Sequence, residues 1–251
     1  MRILCDVDGV FADFLGHTIF YLGDKAPGEE EFTSWNLLDH LSKEEAEFCN
    51  ALWRLPSWCK DIPLLPGAQV AHKELAALGK VLWVTAPLRN SRYWHLERIS
   101  WLEAHFGVDE DDVVFTHDKS HVWGDVIIDD RLENVEGWAK AHPAGLPILW
   151  DRPYNRSRTP EGIHRVKTWE EVLRLVTQFK AELEDSAPPE EVTVTVRRED
   201  QDLTVLLRSQ KEGSWEVVEA LDEQGVGVPL SLLEIAAASW AAQQGYNEVG
   251  F

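Results

Sequence analysis

Basic residues, cysteine and methionine are scarce in this 251-residue chain, and no apolar run is long enough to span a bilayer. Lysine and arginine number 24 against 44 aspartates and glutamates, a formal net charge of −20. Such a surface repels the phosphates of duplex DNA and of anionic lipid, which argues against duplex nucleic acid or a membrane as partner through bulk electrostatics. It leaves room for a small phosphate ester bound through a metal ion. The three cysteines, Cys5, Cys49 and Cys59, form no CxxC pair and cannot all be matched in disulfides, so a reduced, cytoplasmic setting is the simplest expectation. The stretch Met1 to Asp6 is no signal-peptide core. Hydrophobic residues make up 44% and charged residues 27%, a globular balance that rules out intrinsic disorder. What the chain has in excess is tryptophan: twelve, some of them expected to line a site that stacks flat rings.

Ile3-Leu4-Cys5 reads as a strand running into Asp6-Val7-Asp8-Gly9-Val10, and the apolar spacing of Phe11 to Leu22 predicts a helix. Residues 23–61 are less regular and tryptophan-rich, with one clear helix start in the capping box Ser42-Lys43-Glu44-Glu45. A turn at Leu65-Pro66-Gly67-Ala68 opens a helix that Gly79 closes after Leu78. Strands are expected at 80–85, 113–116, 126–130 and 148–150, with an aromatic-rich helix at 93–106 ended by Gly107. Apolar strands alternating with helices predict an α/β fold, a doubly wound (Rossmann-like) parallel sheet covered on both faces. In such sheets ligands bind at the carboxyl ends of the strands. Three of these ends carry Asp6, Thr85 and the pair Asp129-Asp130.

A helix from Thr168 to about Glu184 precedes Ser186-Ala187-Pro188-Pro189, which reads as a linker. Beyond it the period changes to two at Val192, Val194 and Val196, partner strands are expected at 203–207 and 215–218, and Ser231 caps a last helix to about Gln243. The expected organisation is therefore a first domain over 1–185 and a small β-β-β-α module over 190–251. With 12 acidic and 4 basic residues that module is no nucleic-acid-binding tail. Its role is open, and a homodimer contact or a protein partner would suit it.

Asp6 and Asp8, two apart at a strand end, repel each other unless a cation sits between them or one takes a proton. Either outcome is chemically useful, and either residue could instead simply cap the following helix. Asp129 and Asp130 add carboxylates on a second strand tip, a hard-oxygen set suited to Mg²⁺. Thr85 can present a hydroxyl and a backbone N–H to phosphate oxygens, although threonine is also common in strands for its own propensity. Lys119 could bridge phosphate and carboxylate as a point charge, or be an ordinary solvated lysine. His117 and His121, four apart, have transition-metal spacing but no third soft ligand, and Cys5, inside an apolar strand, is expected to be an inert packing residue rather than a nucleophile.

Taken together, Asp6-Val7-Asp8-Gly9-Val10, Thr85, Lys119 and Ile128-Asp129-Asp130 resemble the haloacid dehalogenase superfamily of phosphohydrolases. A finer resemblance, to the 5′(3′)-deoxyribonucleotidases, rests on residues 6–14, Leu64 to Ala68, Val84 to Pro87, Trp101 to Gly107, Asp118-Lys119 and Ile127 to Arg131, and covers about residues 1–180. It implies Asp6 as nucleophile forming an aspartyl-phosphate and Asp8 as acid/base. Mg²⁺ would be held by Asp6, the Asp8 carbonyl and Asp130, with Asp129 in support or as an alternate, and Thr85 and Lys119 would clamp the phosphoryl group. The insert over about 15–63 would be a small helical cap. Phe14, Trp35 and Trp53 are candidates for stacking on the base, with Arg131 near the sugar or base edge. His117 and Ala86 stand where the family often has an arginine and a hydroxyl residue. The implied activity is a Mg²⁺-dependent phosphomonoesterase acting on (deoxy)ribonucleoside monophosphates. Two rivals stay open: a phosphatase of another small phosphoester or polynucleotide end, and a scaffold whose terminal module recruits a protein partner.

Overall fold

The computed structural model describes residues 1–186, 191–197, 202–209, 215–222, 224–230, 234–235, 238–239, 241–242 and 248–250. The chain divides into two compact units, Met1–Leu183 and Glu184–Phe251. Of the sequence-predicted linker Ser186-Ala187-Pro188-Pro189, Ser186 ends a helix, and 187–189, like the cap Ser231, lie outside the described residues.

The first unit is built on six parallel strands: β1 (Arg2–Cys5), β2 (Lys80–Thr85), β3 (Val113–Phe115), β4 (Val126–Asp129), β5 (Leu146–Trp150) and β6 (His164–Val166). Their order is β3-β2-β1-β4-β5-β6, so the winding reverses between β1 and β4. Strand side chains alternate between two faces. Ile3, Cys5, Val126, Ile128 and Ile148 face one side, in a cluster with Leu75, Val172 and Val176. Leu4, Val84 and Ile127 face the other, against Trp138. The helices involved are α3 (Ala68–Leu78), α5 (Leu132–Ala141) and α6 (Trp169–Ser186), while α4 (Trp94–Phe106) contributes Trp101 and Leu102 to the first cluster. The doubly wound parallel sheet predicted from the apolar strands is present.

One short element escaped the pattern, and one predicted helix is shorter at its start. β6 is a three-residue edge strand, His-Arg-Val, too short and too polar to show a period. The first helix, α1 (Phe14–Leu22), starts three residues later than its apolar spacing implies. The Val7 carbonyl accepts from the N–H groups of Val10, Phe11 and Ala12, closing a tight loop. Asp13 then caps the helix by accepting from Gly16 N–H at 2.9 Å. The insert continues through 3₁₀ turns to α2 (Lys43–Leu52), whose Ser42–Glu45 capping box forms as expected.

The second unit is a four-stranded sheet, β7 (Glu191–Arg197), β8 (Asp202–Ser209), β9 (Trp215–Leu221) and β10 (Glu248–Gly250), in the order β10-β7-β8-β9. The first three pair antiparallel, whereas β10 lies parallel to β7 and was too short to read from sequence. Helical residues at 234–235, 238–239 and 241–242 bring Ala238, Ala241 and Ala242 onto Val194, Val196, Leu203, Val205 and Leu207.

Candidate active site

The winding reversal between β1 and β4 opens a crevice at the carboxyl ends of the strands, where open α/β sheets bind ligands. A cavity of about 640 Å³ lies there, within the usual range for a small-molecule site. Asp6, Asp8, Gly9, Thr85, Lys119 and Asp130 line its floor, and Phe14, Trp35, Trp53 and Arg131 are also among its walls. Every candidate residue from the sequence thus borders it except Asp129, which sits just beneath, fully buried.

Lys119 organises the floor. It is 2% exposed, and its Nζ donates to Asp6 Oδ1 at 2.8 Å and to Asp129 Oδ2 at 2.6 Å. Burial works against its charge, but Asp129 and Asp6 outweigh it and hold the ammonium protonated well above the usual lysine range. Asp129 is fully employed by the protein. Beyond Lys119 it accepts from Arg131 N–H at 2.7 Å and from Asn134 Nδ2 at 3.1 Å. It therefore acts as the anchor of Lys119, with no oxygen free of protein donors.

Asp6 and Asp130 are differently placed. Asp6 Oδ1 also accepts from Val7 N–H at 2.7 Å, while no hydrogen bond from the described residues reaches Oδ2. Asp130 Oδ2 accepts from the Tyr154 hydroxyl, its carbonyl accepts from Asn155 Nδ2 at 2.7 Å, and Oδ1 is left free of such bonds. Burial first, and then repulsion from Asp129 and Asp130, pushes the Asp6 carboxyl well above the ordinary carboxylate range in spite of Lys119. Burial and Asp129 push Asp130 up to about 7. Oxygens of Asp6, Asp129 and Asp130 come within 4.8 Å of one another, the one such group of three metal-competent side chains among the described residues. One free carboxylate oxygen on each of Asp6 and Asp130, both destabilised as anions by burial, is the donor set that a hard dication fits. The His117–His121 pair forms no such group: both are exposed, and His121 lies 3.7 Å from Asp118.

Gly9 permits this closeness. Its φ is +79°, and a Cβ there would lie 1.9 Å from Asp130 Oδ2. At the β2 end, Thr85 borders the cavity and is fully buried, and its Oγ1 has no hydrogen-bond partner among the described residues. Buried hydroxyls seldom go unpaired, and an incoming oxyanion would satisfy this one. Cys5, beside Asp6, is 0% exposed, and burial raises its thiol far above the reactive range, so it packs rather than attacks.

The walls are aromatic. Phe14 packs on Trp53 at 5.3 Å and on Trp58 at 5.0 Å between ring centroids. Trp53 is tied down by Nε1–H donating to Thr18 Oγ1 at 3.1 Å. Trp35 is half exposed, and the Arg131 guanidinium carbon sits 3.8 Å above its ring. The sequence reading missed Arg98, Trp94, Asn134, Arg152, Tyr154 and Asn155. Arg98 NH2 meets Asp8 Oδ1 at 2.5 Å, and Arg152 Nε donates to the Gly9 carbonyl at 2.8 Å. Asn134 stands only five residues from the aspartate that it meets, but Arg98, Trp94, Arg152, Tyr154 and Asn155 reach the site from distant segments, so no local motif signals them.

Comparison with known proteins decides the family. Residues 1–182 match the profile of the family described as 5′ nucleotidase, deoxy (pyrimidine), cytosolic type C protein. The chain belongs to this family. A protein of Bordetella pertussis that carries the provisional name 5′(3′)-deoxyribonucleotidase is 33% identical over 180 residues, 69% of this chain and 95% of its own length. The mitochondrial 5′(3′)-deoxyribonucleotidase of Mus musculus is 31% identical over 62% of this chain and 74% of its own. The cytosolic-type enzyme of Homo sapiens is 27% identical over 72% and 94%. A solved haloacid dehalogenase-like family hydrolase from Xanthomonas campestris, 12% identical, covers 74% of this chain and 98% of its own with a TM-score of 0.48. The family match stops short of the second unit. Among the described residues no helix is long and apolar enough to cross a membrane.

Proposed function

We propose that the chain hydrolyses deoxyribonucleoside monophosphates to nucleoside and inorganic phosphate, with Mg²⁺ as cofactor and an aspartyl-phosphate on Asp6 as intermediate. As a member of the nucleotidase family it is a phosphomonoester hydrolase. The observation that carries the finer reading is the floor of the cavity. A buried lysine bridges Asp6 and Asp129, Thr85 offers an unpartnered hydroxyl, and Asp8 lines the same space.

Asp6 and Asp130, with the Asp8 carbonyl, would hold Mg²⁺, which when bound offsets the negative charge of the carboxylates and of the phosphoryl oxygens. Asp6 attacks phosphorus, its Oδ1 held by Lys119 and Val7 N–H so that the carboxylate has one orientation. Asp8 donates a proton to the departing sugar oxygen and then takes one from the water that hydrolyses the intermediate. Burial raises the Asp8 carboxyl, with Arg98 opposing, which favours a protonated acid ready to donate. Lys119 and Thr85 brace the phosphoryl oxygens, where fixed donors in a dry site stabilise developing charge most effectively. Phe14, Trp35 and Trp53 flank the base and Arg131 the sugar or base edge. A stack of this kind contributes roughly 1–3 kcal/mol, enough to favour nucleotides over sugar phosphates.

The test is phosphate release with Mg²⁺ across deoxy- and ribonucleoside monophosphates, sugar phosphates and 3′-phosphorylated oligonucleotides, with EDTA and Asp6→Asn controls. Selective release from deoxynucleotides is expected. Metal-dependent release only from other esters refutes the substrate assignment while keeping the chemistry.

A further inference from the structure

We propose that Arg98 is a positioning residue that fixes Asp8 for proton transfer, an inference that rests on the acid/base reading of Asp8 above. Arg98 lies within α4 and is 0% exposed. Its guanidinium carbon sits 5.3 Å from the Trp94 ring centroid and 5.2 Å from that of Trp101, the neighbours one turn before and after it on the same helix face. Trp101 is itself pinned, its Nε1–H donating to the Ile62 carbonyl at 2.7 Å. NH2 of Arg98 donates to Asp8 Oδ1 at 2.5 Å, whereas Nε and NH1 have no acceptor among the described residues. Asp8 is therefore the acidic side chain that this buried guanidinium hydrogen-bonds.

Packing alone does not explain an arginine at this position. Burying a guanidinium with a single acidic partner carries a desolvation cost that an aliphatic side chain between the two indoles would avoid. What the arginine provides is orientation. With Oδ1 clamped, Asp8 cannot swing about its side-chain torsions, and no hydrogen bond from the described residues engages Oδ2. The residue borders the cavity with its side chain 24% exposed. In the first step an Asp6 oxygen bonds to phosphorus as the bond from phosphorus to the ester oxygen breaks. The electron pair of that bond goes to the ester oxygen, which takes the proton from Asp8 Oδ2, and the resulting Asp8 carboxylate is paired with Arg98.

Steady-state kinetics of the full chain with Mg²⁺ test this, comparing deoxythymidine monophosphate with p-nitrophenyl phosphate, whose phenolate leaves without a proton. The parameter is kcat/KM, which covers the steps through leaving-group departure and is independent of later hydrolysis of the intermediate. Arg98→Met is expected to lower kcat/KM on the nucleotide about 100- to 300-fold, at the low end of the span of lost general-acid catalysis, and on the aryl ester less than about 5-fold. Arg98→Lys is expected to fall between Met and wild type on the nucleotide alone. In an Asp8→Asn background, Arg98→Met is expected to add no further loss, because the two act as one unit. If Arg98→Met does not fold, the Arg98→Lys contrast between the two esters decides. Equal losses on both esters, full nucleotide activity in a folded Arg98→Met protein, or an undiminished loss in the Asp8→Asn background would overturn the proposal. A wild-type protein that hydrolyses neither ester would overturn the phosphatase reading together with this one; a wild type active on both with Arg98→Met unchanged overturns this one alone.

Discussion

Replacing Gly9 with alanine perturbs the site through two separable effects. The backbone there is left-handed, φ +79°, which costs a non-glycine residue about 1–2 kcal/mol. The new Cβ would also lie 1.9 Å from Asp130 Oδ2, 2.7 Å from its Cγ and 2.9 Å from the Tyr154 hydroxyl. Ordinary contact needs about 3.5 Å, so the Asp130 carboxyl must retreat by more than about 1.5 Å. It has little room to do so, since Tyr154 holds its Oδ2 and Asn155 holds its carbonyl. Metal ligands tolerate about 0.2 Å of misplacement. Gly107→Ala supplies the control: its φ is +65°, and nothing lies within 4 Å of an added Cβ. Both variants are expected to lower the thermal midpoint, Gly107→Ala by about 2–4 °C per kcal/mol of strain and Gly9→Ala by more. Gly9→Ala alone is expected to weaken Mg²⁺ binding by about 10- to 100-fold and to lower kcat by at least about 100-fold. Isothermal titration with Mg²⁺ and phosphate-release kinetics on the two proteins read this directly. A Gly9→Ala protein with wild-type Mg²⁺ affinity would refute the placement of Asp130 as a metal ligand.

Three further outcomes are expected. Asp6→Asn lowers turnover by more than about 1,000-fold while circular dichroism stays native, because Lys119 retains Asp129 as partner; activity near wild type removes Asp6 from the nucleophile's role. In metal-free protein the folded Asp130 holds a proton up to about pH 7, whereas its unfolded form releases it near the ordinary value of 3.8. The folded state thus binds more protons between those limits. Its stability falls as pH rises from about 4 to 7, by at most about 4 kcal/mol, and Mg²⁺ binding weakens as pH drops below 7; denaturant melts and Mg²⁺ titrations at pH 5.5 and 7.5 with the opposite trends contradict this. Deleting residues 188–251 leaves a folded, active first unit, which differential scanning calorimetry and phosphate release would check; an insoluble product would show that the two units share one core.

The parts of the site that were legible in the sequence are those whose signal is local. Asp6, Asp8, Asp129 and Asp130 stand at the tips of apolar strands, and Thr85 closes another, so reading strand ends was sufficient to gather them. Lys119 needed its neighbours' company, because a single lysine between loop residues is ordinarily solvated. Arg98 and Tyr154 were illegible for the converse reason. Arg98 reaches Asp8 across 90 residues, and Tyr154 reaches Asp130 across 24, by tertiary packing that leaves no spacing in the chain. Boundaries failed where turn chemistry overrode apolar period: the Val7 carbonyl gathers three N–H groups and delays α1 to Phe14. β6 and β10, three residues each, are too short for any period to register. The aromatic walls were foreseen as a class, yet Trp94 was not singled out, since in sequence it is one helical indole among several.

The most direct test of the account is to arrest the reaction between its two steps. In Asp8→Asn protein with Mg²⁺, p-nitrophenyl phosphate can still phosphorylate Asp6, because its phenolate needs no proton, but water is no longer activated to release the phosphoryl group. Intact-protein mass spectrometry is expected to show the gain of one phosphoryl group, removed by hydroxylamine, mapping to the peptide that contains Asp6 and absent from the Asp6→Asn, Asp8→Asn double variant. Release of one equivalent of nitrophenolate without that gain, or a gain that survives the loss of Asp6, would contradict the central claim.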